Sequence, residues 1–178
     1  LSTALGAAVG GDEVRVARGT YHVAPRALVA ARAVSRSTSL RIPPGVRLLG
    51  GFNPADGAWA DDGGGDDGAS GGGDDGGDGG AFPAGSLAAR DPSAHVTVLS
   101  GELGDAADAT DNAYHVLVAP VGGGGATLDG FVVEGGHADG RAIDGLGGGL
   151  LARQTKGSTL VVRDVVFRAN RAAHGGAA

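Results

Sequence analysis

Two stretches in the last third of the chain share one design, ATLDGFVVEGGHAD at Ala126–Asp139 and STLVVRDVVFRANRA at Ser158–Ala172. Each is a strand rich in β-branched residues, a polar pair, a second such strand and a turn of small residues. The glycine run Gly147–Gly149 separates them, and Gly175–Gly176 follows the second. Strand–turn–strand units that recur every ~30 residues are typical of stacked coils. The pattern therefore predicts a long, regular surface that does not require a catalytic centre.

The remaining strand signals are short and are bounded by Gly, Asn, Asp or Pro, as expected of an all-β protein. At the N-terminus, Ser2–Val9 predicts a short helix with Ser2 as its N-cap and Gly10–Gly11 as its end. Ala24–Ser39 fits either a helical excursion or a loop. Predicted strands follow from the alternation in 11–23 and from the apolar runs at Leu40–Ile42, Val46–Leu49, Val96–Leu99 and Tyr114–Ala119.

These signals predict a right-handed parallel β-helix, a solenoid of stacked coils, with a short capping helix at residues 1–10. The coils are expected over 11–178, and because the chain stops in a glycine-rich turn we expect them to be incomplete at the C-terminus, as in a fragment. An up-and-down β-sandwich is the structural alternative. It would use two-residue Asp-Gly hairpin turns, for which the chain outside residues 55–90 offers three dipeptides, at 129–130, 139–140 and 144–145.

The acidity of the chain belongs to one insertion. Eight acidic residues and no basic ones lie between Asp56 and Asp78, whereas the rest of the chain has 14 basic and 12 acidic residues. This segment cannot bury apolar area, so residues 55–90 are predicted to form a disordered Gly/Asp-rich loop that interrupts the coils. The near-neutral remainder does not support a nucleic-acid groove. Cysteine is absent, and no apolar run reaches 18 residues, so no transmembrane segment is predicted.

Several phrases resemble bacterial surface proteins of the pectin-lyase-like, right-handed β-helix superfamily, especially those related to polymorphic outer-membrane proteins. The opening LSTALGAAVGGDEVRVARGTYHV (1–23) is similar to the capping helix and first strand of such domains. GVRLLGGFNPADGAW (45–59), RDPSAHVTVLSGELGD (90–105), DNAYHVLV (111–118) and LDGFVVEGGHADG (128–140) resemble later phrases, in the same order. The resemblance covers nearly the whole chain and departs at the Gly/Asp insertion.

The resemblance implies an exported or cell-surface β-helix, at the surface or outer membrane of a bacterium, and it transfers no catalytic residue. The excess of Ala, Gly, Asp and Val, with Arg almost replacing Lys, is typical of GC-rich codon usage. The expected partner is a polysaccharide or a host or cell-surface ligand.

Five residues borne on the repeats could carry carbohydrate chemistry, which on this fold requires converging carboxylates or carboxylates beside an Arg. Asp129 and Asp164 lie at similar places between paired strands, so they could align in adjacent coils. The preferred interpretation is that both are turn residues that accept backbone hydrogen bonds. The five candidates are Asp129, Glu134, Asp144, Arg163 and Asp164.

Calcium is the one metal that the pattern suggests. Acidic residues recur every third position in GELGDAADATDNAY, at Glu102, Asp105, Asp108 and Asp111. They could form a calcium loop, although the EF-hand spacing is absent, and a solvated acidic loop is the preferred interpretation. Gly71–Gly79 has the letters of a nonapeptide calcium repeat without its inward apolar position.

The five histidines, at 22, 95, 115, 137 and 174, lack metal-ligand spacing. His115 is expected to line a surface or the edge of the core. We therefore assign no catalytic, cofactor or metal residue and predict a non-catalytic surface stalk or adhesin-like scaffold. A carbohydrate-active β-helix acting on an acidic polysaccharide and a calcium-stabilised module remain the alternatives.

Overall fold

The computed structural model of the protein describes residues 1–25, 34–53, 90–121, 124–153 and 157–175. Strands dominate these residues, and there is one short α-helix, as the sequence predicts. Half of Ala24–Ser39, residues 26–33, and nearly all of the predicted loop at 55–90, including the whole Gly/Asp run, lie outside them. The elements are α1 Ser2–Ala7, β1 Glu13–Ala17, β2 Gly19–His22, β3 Leu40–Arg41, β4 Arg47–Phe52, β5 Thr97–Ser100, β6 Leu117–Val118, β7 Gly124–Asp129, β8 Val132–Glu134, β9 His137–Ala138, β10 Leu150–Leu151, β11 Ser158–Arg163, β12 Val166–Arg168 and β13 Arg171–Ala172.

All paired strands are parallel, and they form four sheets. The two larger sheets have the orders β1-β4-β7-β11 and β2-β5-β8-β12; the smaller ones are β3-β6-β10 and β9-β13. Strands that are neighbours in one sheet are never consecutive in the chain, because the chain visits the other sheets before it returns. The antiparallel hairpins that a sandwich requires do not occur among the described strands.

The two similar stretches of the C-terminal third pair with each other at a constant offset. Ser158 lies opposite Gly124, Val166 opposite Val132 and Arg171 opposite His137, so three different sheets share one offset. Residues of neighbouring turns that contact each other, such as Glu134 and Arg168, are 34 apart in the sequence. The repeat is therefore slightly longer than the ~30 residues that the pattern suggests.

The core lies between the sheets and is aliphatic. Leu48 and Leu128 lie opposite each other on β4 and β7, and both are fully buried. Leu99 and Val133 likewise lie opposite each other on β5 and β8, and both are fully buried. Side chains alternate between the two faces of a strand, so each inward position meets an inward position of the next strand. The core thus continues from one strand to its neighbour without large aromatic mass.

The N-terminal helix is shorter than expected. It begins at Ser2 and ends at Ala7, and Ala8 is already extended, ahead of the predicted stop at Gly10–Gly11. The N-cap is Leu1 and not Ser2, and no side chain caps the helix. Leu5 is its buried residue and joins the apolar core. Burial of one leucine, and not side-chain capping, therefore holds the helix against the sheets.

The bends between strands repeat with the same offset as the strands. Gly130 and Asp164 both have positive φ, of 79° and 47°, and Gly135 and Ala169 have 74° and 53°. Ala169, and not its neighbour Asn170, adopts the left-handed conformation at this bend. The Asn170 side chain accepts from the Gly136 N–H at 2.9 Å and donates to the Val133 carbonyl at 2.9 Å, so it ties one turn of the chain to the next.

Candidate functional site

Asp129 is held by an arginine from the end of the predicted loop. Arg90 Nη2 donates to Asp129 Oδ1 at 2.5 Å, and Arg90 Nε donates to the Gly50 carbonyl at 2.5 Å. Both side chains of the ion pair are largely buried. Asp129 therefore fastens residue 90 to the sheet, and its carboxylate is already occupied by a charged partner.

Asp164 does not align with Asp129, so the alignment that the sequence leaves open does not occur. The register places Arg163 opposite Asp129. Asp164 then corresponds to Gly130, at the bend where both residues have positive φ. The polar pairs of the two stretches are thus displaced by one residue, and the two carboxylates do not form a ladder. Asp164 therefore lies at a bend, in the left-handed conformation that aspartate tolerates better than most residues.

Two further carboxylates of the repeat region are in ion pairs. Glu134 Oε2 accepts from Arg168 Nε at 2.6 Å across β8 and β12. Asp139 Oδ1 accepts from Arg36 Nη2 at 2.7 Å. Burial opposes ionisation of Asp139, but the hydrogen bond and the positive charge of Arg36 lower its pKa below the ordinary value. These pairs cross between turns of the chain and are structural.

The acidic loop around residues 102–111 uses its carboxylates to hold its own turns. Asp111 Oδ2 accepts from the Asp105 N–H at 2.9 Å, and Glu102 Oε1 accepts from the Gly104 N–H at 2.7 Å. Asp108 accepts from the hydroxyl and the N–H of Thr110, and these bonds lower its pKa. Among the residues that the structure describes, no three His, Asp or Glu side chains are placed to hold a metal ion.

A groove runs over the outward face of the three-stranded sheet β3-β6-β10. Leu40, Leu117 and Leu150 are paired in register and point into the core. The next residues along the strands, Arg41, Val118 and Leu151, are also paired in register and form the floor of the groove on the other face.

Two adjoining cavities, of about 510 Å³ and about 180 Å³, make up this depression, which we call the β6 groove. They share Ser39, Arg41, Val118, Ala119 and Val121, so they are two ends of one space. The larger end is bounded by α1, through Leu5, and by Pro43 and Pro44. The smaller end is bounded by the 3-10 turn Ala142–Gly145.

His115 is the buried polar residue at the smaller end. It is 5% exposed, and its Nδ1 lies 3.0 Å from the Gly147 carbonyl oxygen. A carbonyl only accepts, so Nδ1 carries the proton of this bond. Nε2 is buried without a hydrogen-bond partner, and the nearest carboxylate oxygen, Asp144 Oδ1, is 3.9 Å away. That separation is beyond hydrogen-bond length.

Three more polar groups line the same end. Ser39 Oγ is buried and has no hydrogen-bond partner. Arg41 and Arg153 are exposed, and neither forms an ion pair with a described carboxylate, unlike Arg36, Arg90 and Arg168. With Asp144 as the one acidic group on this wall, the smaller end has an excess of positive charge.

Sequence reasoning identified part of this site. His115 does line a surface at the edge of the core, as expected, and Asp144 was among the repeat-borne candidates. Ser39, Arg41 and Arg153 were not singled out, because each lies in a short segment without a motif. Only the pairing of β3 with β6 and of β6 with β10 brings them together.

Comparison with protein-family models, with curated proteins and with solved structures finds no match to this chain. The class that the fold defines is therefore an all-β chain with parallel sheets and one short N-terminal helix. In the described part of the chain, no helix has the length and apolar character needed to cross a membrane.

Proposed function

We propose that this chain is part of a right-handed parallel β-helix of the pectin-lyase-like kind, exported or displayed at a cell surface, and that it acts as a non-catalytic stalk or adhesin-like scaffold. The observation that carries the proposal is the common offset of 34 residues in separate parallel sheets. An architecture of stacked repeats gives each turn the same neighbours and produces an extended surface. The resemblance in the order of the sequence phrases supports the same interpretation.

The pairing of carboxylates with arginines favours the scaffold over the carbohydrate-active alternative. Glycoside hydrolysis requires two carboxyl groups about 5–9.5 Å apart that are free to donate, accept or attack. Asp129, Glu134 and Asp139 are instead neutralised by arginines from other turns. The calcium alternative is disfavoured for a similar reason, since the acidic loop directs its oxygens to its own N–H groups.

A depolymerisation assay tests the non-catalytic part of the proposal. The purified chain is incubated with polygalacturonate, alginate and a neutral glucan, and reducing ends and unsaturated uronates are measured. We expect no release above a protein-free blank. Release that persists after repurification and is lost in Asp129→Asn or Asp144→Asn, but not in Asp164→Asn, would overturn the proposal.

Labelling of cells that produce the protein tests its location. An antibody raised against the chain is expected to bind intact cells as strongly as permeabilised ones. Binding that appears only after permeabilisation contradicts display at the surface, and leaves the assay for catalysis unaffected.

A further inference from the structure

The two ends of the β6 groove share five lining residues and differ in the residues that each end adds. The smaller end has two buried polar atoms without a partner, Ser39 Oγ and His115 Nε2, together with the guanidinium groups of Arg41 and Arg153. Most buried polar atoms in proteins are hydrogen-bonded, because leaving one unpaired costs about 1–3 kcal/mol. Two such atoms on one wall indicate a place where a polar ligand group is received.

The excess of positive charge at the smaller end favours a ligand with an acidic group. A carboxylate can accept from the planar guanidinium groups of Arg41 and Arg153, which are suited to bidentate pairing with it. It can also accept from the Ser39 hydroxyl. Since Nδ1 of His115 donates to Gly147, Nε2 is an acceptor and does not pair with the carboxylate oxygens.

The residues that line only the larger end are mainly aliphatic. Leu5, Ile42, Pro43, Pro44 and Val121 line it, and the residues that line it in the described part of the chain include no aromatic ring. Val121 is 58% exposed at its edge. A flexible hydrocarbon chain fits such a wall, because apolar contact there needs no specific geometry and removes exposed aliphatic surface from water.

We propose that the β6 groove binds a small amphipathic organic acid. Its carboxylate lies against Ser39, Arg41 and Arg153, and its aliphatic chain lies over Val118 towards Pro43 and Val121. This inference adds a ligand to the proposed scaffold and does not depend on where the scaffold is displayed. Loss of ligand binding would overturn this proposal alone, and the appearance of catalysis would overturn the scaffold proposal alone.

Calorimetric titration with a series of unbranched acids tests the proposal. The probes are butanoate, hexanoate and octanoate, with octan-1-ol and octylamine as neutral and cationic counterparts. We expect the affinity to rise roughly fourfold for each methylene that enters the groove. Octan-1-ol and octylamine are expected to bind at least tenfold more weakly than octanoate. Equal affinity for butanoate and octanoate, or for octanoate and octylamine, overturns the proposal.

Arginine variants locate the binding. The double variant Arg41→Gln/Arg153→Gln is expected to weaken octanoate binding at least tenfold, because it removes both cations from the polar end. Arg163→Gln is the matched control: this arginine is also exposed and unpaired in the described part of the chain, but it lies on β11 and lines neither cavity. All three positions are exposed, so the variants should remain folded, which circular dichroism verifies. An unchanged affinity in the double variant, or an equal loss in Arg163→Gln, contradicts the assignment.

Discussion

Gly136 is packed closely against the backbone of Gly148, 12 residues further along the chain. A Cβ atom added there would overlap the Gly148 carbonyl, and the backbone nitrogen of Gly149 would lie 3.2 Å from it. Both obstacles are backbone atoms, which cannot rotate away as the end of a side chain can. Glycine is therefore needed at this position for space, whereas at Gly130 and Gly135 positive φ is the reason.

Gly136→Ala should therefore destabilise the protein. We expect the free energy of unfolding, measured by urea denaturation, to fall by about 1–3 kcal/mol, since extra volume in a filled site forces backbone shifts. Gly6→Ala is the control: its added Cβ meets no atom within 4 Å, and the residue lies in α1. There alanine should raise stability by about 0.5–1 kcal/mol because glycine is a poor helix former. A tolerated Gly136→Ala would contradict the close approach.

At the scale of single residues, the sequence predicts chemistry poorly, because the deciding partners are distant in the chain. Asp129 looks like a candidate catalytic acid until Arg90 is found 39 residues away in the sequence and 2.5 Å away in space. The displacement of Asp164 by one residue from the position opposite Asp129 also depends on a distant part of the chain. A polar pair between two strands defines the bend only to within one residue, and the backbone of the neighbouring turn decides which of the two adopts positive φ.

Among the strands, inward-facing side chains should contribute most to the free energy of unfolding where the strand has a neighbour on both sides. β7 is paired with β4 and with β11, whereas β11 lies at the edge of the same sheet. Leu128 on β7 is fully buried, and Val162, directly opposite on β11, is 41% exposed. The same register position is thus covered in one strand and open in the other.

Alanine substitution at each of these two positions measures the difference in their contribution to stability. Leu128→Ala is expected to lower the free energy of unfolding by about 2–5 kcal/mol, as for other buried leucines. Val162→Ala should change it by less than about 1 kcal/mol, because much of the side chain remains in water. Both values come from urea denaturation under identical conditions. If both substitutions lowered the free energy of unfolding by a similar amount, β11 would have to be covered in solution.

Strands within a longer apolar run were predictable, including the two-residue β3 and β6, whereas β10 was not. Runs of β-branched residues predict β7, β8, β11 and β12, and because their apolar positions match, they also predict that the two stretches pair. β10, by contrast, has two residues after a glycine run. Two residues carry no periodicity, so such a strand is defined by the neighbour to which it bonds and not by its own sequence.

For the whole molecule, the β6 groove depends on elements that lie far apart in the chain. Its walls come from α1, from β3 and β6, and from the turn that precedes β10. None of these segments has a ligand motif of its own. The groove exists because parallel pairing places Arg41, Val118 and Leu151 side by side. The scaffold and ligand proposals therefore both depend on the parallel arrangement of the strands.

Engineered disulfides test this arrangement most directly, because the chain has no cysteine of its own. Gly125 lies opposite Thr159 in the parallel register, about 4.8 Å apart between Cα atoms, which is within disulfide range. If β7 and β11 were antiparallel about the pair Thr127 and Val161, Gly125 would instead meet Arg163. Gly125→Cys/Thr159→Cys should form an intramolecular disulfide on mild oxidation, seen on non-reducing gels, and Gly125→Cys/Arg163→Cys should not. Cross-linking of the second pair but not the first would contradict the parallel fold, and with it both proposals.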